Sequence, residues 1–218
     1  MSRFTLYGYW RSSCSWRVRI ALHLKGIDFE NLSVHLVKDG GQQHKADYLA
    51  LNPMGQVPCL VDHQAGLSLT QSAIILDYLE EQVPEPALYP GDAGHNRRIR
   101  EFCTLINTGI QPLQNLAVLQ QIEGRFGADA PAKAAWAAHF IARGFTAAET
   151  MLKDVGGDFC FGDRVTMADL FLIPQIFGAH RFGVDMTAFP TLARIDAHCG
   201  DLDAFVKAAP GAQPDAQS

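Results

Sequence analysis

The chain has 218 residues, 48% of them hydrophobic and 19% charged, with a formal net charge of −5. That balance is globular and excludes a disordered or solvating polymer. The acidic excess excludes a broadly basic nucleic-acid binder, and the length supports one large domain or two small ones without a structural metal or disulfides.

The amino-terminal part alternates strand and helix signals. Phe4 to Tyr7 reads as a strand, and Gly8 to Cys14 as a loop. Ser15 to Lys25 reads as a helix apolar on two sides and closed by Gly26, which predicts burial on two sides. Phe29 to Val34 is a second strand, Lys38–Gln43 a loop, and Ala46 to Leu51 a short helix ending before Asn52-Pro53. Cys59–Val61 and Leu67–Leu69 read as strands joined by a turn, and Ser72 as the cap of a helix Ala73–Gln82. The order βαβ, α, ββα implies a small mixed sheet with one parallel crossover and a terminal hairpin.

The prolines and glycines of 84–94 predict a linker between a domain at 1–83 and a second at 95–218. Beyond the linker the signals are helical. Asn96 to about Gln121 reads as one long helix kinked at Gly109 and Pro112. Ala132–Leu152 is an Ala-rich helix. Thr166 and Asp169 form a capping box for a helix to about Ala179, and Leu192–Cys199 gives the last helix. The Pro/Ala-rich stretch 208–218 is expected to be loose. The fold class is therefore α/β followed by all-α.

Cys14, Cys59, Cys103, Cys160 and Cys199 are widely spaced without a CxxC pair, and the histidines show no HxH or HxxxH spacing. A disulfide scaffold and a metal site are not expected; a reducing, cytoplasmic location is. The segment Met1–Ser15 lacks a signal-peptide apolar core, and the charge-free stretch from Phe102 to Ile122 contains too many Thr, Asn and Gln residues to face lipid.

Four places carry candidate chemistry. In Arg11-Ser12-Ser13-Cys14-Ser15-Trp16-Arg17, hydroxyls, a thiol and arginines (Arg19 included) collect at a helix amino terminus, where a thiolate is stabilised. Either Cys14 is the nucleophile or Ser12 to Cys14 activate a thiolate brought by a ligand. Val57-Pro58 opens a strand and reads as a cis bond presenting Val57 to an extended ligand backbone, or as a trans proline at an edge. Gln71-Ser72 begins a helix whose positive end can hold a carboxylate, although capping alone also explains Ser72. Gln111 and Asn115, four apart on a charge-free helix, read as sharing a face that is either solvent-exposed or a cleft wall between domains.

Trp10 followed by RSSCSWRVRIAL (11–22) resembles the signature of zeta-class glutathione transferases, the maleylacetoacetate isomerase family. So do LKGIDFE (24–30), KDGGQQ (38–43), LNPMGQVP (51–58), QS (71–72), GIQPLQNL (109–116) and VTMADL (165–170). The resemblance spans nearly the whole chain. It implies a thioredoxin-like βαβαββα domain, a helical domain, a homodimer, and glutathione as cofactor. It further implies glutathione contacts from Ser12, Ser13, Cys14, Ser15, Trp16, Arg17, Gln43, Val57, Pro58, Gln71 and Ser72, with Gln111 and Asn115 reaching from the helical side. At Ala117 the resemblance would lead one to expect a serine.

On this resemblance the substrate is a small cis-unsaturated diketo acid, with neither nucleic acid nor membrane as partner. Glutathione's thiolate adds reversibly to the double bond, which permits rotation. Ser13 with the helix start, or Cys14, stabilises the thiolate, while Arg11 and Arg181 hold substrate oxygens. The family also contains maleylpyruvate isomerases, and haloacid-directed transferases are the competing class.

Overall fold

The computed structural model describes Ser2–Gln217. Two compact units emerge: residues 1–87 together with 201–218, and residues 88–200.

In the first unit a four-stranded sheet has the order β2-β1-β3-β4, with β1 Phe4–Gly8, β2 Phe29–Ser33, β3 Cys59–Asp62 and β4 Leu67–Thr70. β1 and β2 are parallel across helix α1 (Ser13–Leu24), while β3 runs antiparallel to both β1 and β4. Alternate residues such as Phe4, Leu6 and Leu60 are buried, as are Val18 and Leu22 of α1 and Ile75, Leu76 and Leu79 of α3 (Ser72–Gln82). The short α2 is Ala46–Leu51.

The two-sided burial expected of α1 is present, because it packs against α3 and also against α9 (Asp203–Ala208). α9 was not anticipated. Nor is the following segment loose as expected: 210–212 and 214–217 form 3-10 turns, and Gln213 is buried. Its anchors are side chains far away in sequence, so local composition gave no sign of them.

Two polar clusters brace the first unit. Asp62 is fully buried and accepts from Arg3 Nε and Nη2 at 3.0 and 2.6 Å, from the Tyr78 hydroxyl at 2.8 Å, and from Gln64 and Ala65 N–H. Lys25 Nζ reaches Val83 O at 2.7 Å, Pro86 O at 3.0 Å and Glu80 at 2.6 Å, tying the end of α3 and the chain beyond it to the end of α1.

The second unit is helical: α4 Ala93–Gly109, α5 Leu116–Phe126, α6 Ala130–Leu152, α7 Met167–Arg181 and α8 Pro190–Gly200. α7 is buried along nearly its full length and packs on α4, α6 and α8. Its capping box is as expected, with Asp169 reaching back to Thr166 N–H at 2.8 Å. The single kinked helix expected over 96–121 is instead α4, a 3-10 turn at Gln111–Gln114, and α5. Pro112 cannot donate a backbone bond, and Asn115 starts a new helix by capping it. Among the described residues no helix is long and apolar enough to cross a membrane.

Candidate active site

In the first unit, Tyr7, Cys59 and Thr70 form a row across the sheet, and Gly8 pairs with Ser33. The connections after β1, before β3, after β4 and after β2 therefore leave the same end of the sheet. They carry Arg11 to Cys14, Val57-Pro58, Gln71-Ser72 and Gln43 respectively. Residues distant in sequence are gathered by strand direction alone.

At the first connection Ser12 caps α1, its Oγ accepting from Ser15 N–H at 3.2 Å. Ser13 and Cys14 occupy the first turn, half-buried, with no acidic side chain there to oppose an anion. Ser15 and Trp16, also expected at the site, are buried. Ser15 Oγ accepts from Tyr9 N–H at 3.3 Å, and a Cβ on Gly8 would lie 3.3 Å from it, so this serine closes the loop against the sheet. The half-buried Arg11 guanidinium lies 5.3 Å from the Trp10 ring and 5.9 Å from the Tyr9 ring.

The arginines expected to collect at this helix start divide. Arg17 is fully buried and its Nη1 donates to Ser72 Oγ at 3.3 Å, setting a guanidinium beside the start of α3. Arg19 turns elsewhere, to Ala208 O at 3.0 Å and Trp10 O at 2.9 Å. Burial pushes its guanidinium down to about 10, against the opposing charge of Asp215.

Gln71, not Ser72 as expected, is the cap residue of α3, and Ser72 is the first helical position. Gln71 has φ 67° and ψ 109° and makes no side-chain capping bond. A non-glycine residue held there is strained, which marks a constraint beyond helix capping.

Val57-Pro58 is cis. Strand pairing begins at Cys59, leaving the Val57 backbone outside the ladder, while the Val57 side chain packs against Val34, Tyr48 and Cys59. Two residues that sequence reasoning missed hold this loop. The Tyr48 hydroxyl and Asn52 Nδ2 both donate to Gln56 O at 2.6 Å, and Asn52 Oδ1 accepts from Met54 N–H at 3.1 Å. The Asn52-Pro53 breaker is their only sequence signal. Burial raises the Tyr48 phenol and pushes the Cys59 thiol up to about 11, so neither is a ready nucleophile.

Gln43 is buried. Its Nε2 donates to Leu36 O at 3.3 Å, and its Oε1 is buried without a hydrogen-bond partner. A Cβ on Gly41 would lie 2.6 Å from Gln43 Nε2, which keeps glycine there.

Together these groups suit a peptide-like ligand bearing a carboxylate and an anionic sulfur. The α3 start with Arg17 and Ser72 suits the carboxylate, the α1 start suits the sulfur, and the unpaired Val57 backbone and the orphan Gln43 oxygen suit amide groups. The residues present fit glutathione.

In the second unit Gln111 opens the 3-10 turn and Asn115 caps α5, its Oδ1 accepting from Ala117 N–H at 3.0 Å. The two therefore do not share a helical face as expected. Arg181 is exposed at the end of α7, its guanidinium 4.9 Å from the Phe182 ring. Among the described residues no group of His, Cys, Asp and Glu could hold a metal ion.

Comparison with known proteins matches residues 11–82 to the glutathione S-transferase N-terminal domain and residues 130–212 to the C-terminal domain. Maleylacetoacetate isomerase of Mus musculus is 46% identical over 211 residues, covering 96% of this chain and 94% of that protein. A holo structure of maleyl pyruvate isomerase, a bacterial zeta-class glutathione S-transferase, superposes with TM-score 0.92 at 45% identity, covering 97% of this chain and 99% of the other. Maleylacetoacetate isomerase from Anaeromyxobacter dehalogenans, with glutathione bound in its active site, gives TM-score 0.87 at 43% identity, covering 99% and 100%. The thioredoxin-like sheet, the helical unit and these full-length likenesses place the chain in the zeta-class glutathione transferase and maleylacetoacetate isomerase family.

Proposed function

We propose that this chain is a glutathione-dependent cis–trans isomerase converting maleylacetoacetate to fumarylacetoacetate, working as a cytoplasmic homodimer. The observation that carries the reading is the convergence, at one end of the sheet, of two helix starts, the buried Arg17 guanidinium and the unpaired Val57 backbone. Bound there, glutathione supplies the thiol whose anion adds reversibly to the substrate's double bond.

The chain's own residues bind, orient and ionise. Arg17, Ser72 and Gln71 take the ligand carboxylate, Val57 pairs with its backbone, and Gln43 accepts an amide proton. Ser13 and the free N–H groups of the first turn of α1 favour the thiolate over the thiol, with Cys14 the neighbouring alternative. An unperturbed thiol with pKa near 8.5 is only a few per cent ionised at about pH 7, so a drop of roughly two units makes it mostly anionic. Arg11 binds the carboxylate and enolate oxygens of the substrate, where charge develops. Five free thiols suit a reducing compartment.

The second reading, a maleylpyruvate isomerase, is favoured by the 45% identity and TM-score of 0.92 to that enzyme's structure. A coupled isomerase assay with both diketo acids, with and without glutathione, separates the two. Full-rate isomerisation without glutathione refutes both, and consumption of glutathione at each turnover points to a conjugating transferase instead.

A further inference from the structure

The segment that follows the helical unit belongs to the first unit, with α9 packed on α1. Two polar side chains tie it to the loop after β1, and a third ties it to β2. Asp215 Oδ2 accepts from Trp10 N–H at 3.0 Å and from the Ser33 hydroxyl at 2.7 Å. Arg19, 1% exposed, donates to Ala208 O, Trp10 O and Tyr9 O. Gln213 Oε1 accepts from Asn31 at 3.2 Å, and its Nε2 donates to Lys207 O and Ala209 O at 2.9 and 3.0 Å.

The peptide groups of Trp10 are thus gripped on both sides, the N–H by Asp215 and the carbonyl by Arg19. The next turn is closed by Ser12 N–H donating to Tyr9 O at 3.0 Å. Arg11 follows Trp10 directly, and Ser12 and Ser13 begin α1. A carboxylate from a distant part of the chain therefore sets the direction in which the loop hands over to the helix start.

We infer that Asp215 is a positioning residue for glutathione activation: by accepting from the Trp10 N–H it fixes the Tyr9–Ser12 turn, and through that turn the orientation of Ser13, Cys14 and the Arg11 guanidinium. The inference rests on the glutathione reading above. Asp215 touches neither cofactor nor substrate; it acts through the Trp10 peptide. This charge-assisted hydrogen bond holds the Trp10 N–H as the charged Arg19 holds its carbonyl. Half an ångström of drift at such a site is enough to lower its efficiency.

The test compares the full chain with Asp215→Ala, Asp215→Asn and Ser33→Ala. Glutathione affinity is measured by calorimetry, ionisation of the bound thiol by ultraviolet absorbance against pH, and Trp10 amide protection by hydrogen exchange. Asp215→Ala should remain folded, lose Trp10 protection, weaken glutathione binding about tenfold and move the thiol midpoint upward. Asp215→Asn keeps an acceptor oxygen but loses its charge, and should shift all three in the same direction by a smaller amount. Ser33→Ala leaves the Trp10 contact intact and should bind as the parent does. If Asp215→Ala, or Asp215→Asn should the alanine variant not fold, keeps parental affinity, midpoint and protection, the inference is overturned and the proposed function stands. A parent chain that binds no glutathione overturns both.

Discussion

Gln71→Gly separates folding from function at one residue. The backbone there has φ 67° and ψ 109°, and the side chain is exposed and caps nothing. A non-glycine residue in such a region costs about 1–3 kcal/mol. Glycine removes that strain but adds freedom to the unfolded chain, worth about 0.5–1 kcal/mol in the opposite direction. The net expectation is a gain near 1 kcal/mol, or roughly 2–4 °C in Tm for a protein of this size. Glutathione should bind worse, because a hydrogen-bonding group at the carboxylate end is gone: about 1.5–3 kcal/mol, or at least tenfold in KM. Thermal melting followed by glutathione titration reads both. A variant clearly less stable than the parent, or one with unchanged KM, shows that Gln71 is held in this conformation for structural reasons and refutes the reasoning.

Two further outcomes are expected. Arg3 beside Asp62 holds that carboxyl well below the usual carboxylate range, with Tyr78 and the N–H groups of Ala65 and Gln64 adding to the effect. A folded pKa below the unfolded value near 3.9 means the contribution is complete above that value and lost as pH falls through the folded pKa. Acid unfolding followed by circular dichroism should therefore be less steep in Asp62→Asn, which will also be less stable at neutral pH; an identical acid limb contradicts the assignment. On α6, a Cβ at Gly144 would overlap Ile110 Cδ1 and Cγ1. Gly144→Ala should lose about 1–3 kcal/mol, and combining it with Ile110→Ala should be non-additive by about 1 kcal/mol in denaturant unfolding.

What could be read beforehand followed physical range. The strands, α1, α3 and the α7 capping box are written in nearby residues, whereas Gly109 with Pro112 predicted only a kink where the long helix in fact breaks. The 3-10 turn after the break was not legible, because it depends on Asn115 recruiting its side chain to cap α5. Gln71 was expected to matter, yet glutamine is not a residue chosen for positive φ, so its role at the helix start could not be read from propensity. Arg19 was grouped with Arg17 because both follow the serines. Only the packing of α9 shows that one points toward α3 and the other toward Ala208. Tyr48 and Asn52 were missed because their shared target is the Gln56 main chain, which carries no sequence signature.

The first unit is discontinuous, with the whole helical unit inserted between residues 87 and 201. During translation its sheet can assemble early, but Trp10 must wait for Asp215 until more than a hundred further residues (88–200) have left the ribosome. A nascent or prematurely terminated chain lacking that segment would display a thioredoxin-like body whose serine turn is untethered. The thiol-ionising function would thereby stay weakened until synthesis has passed the helical unit.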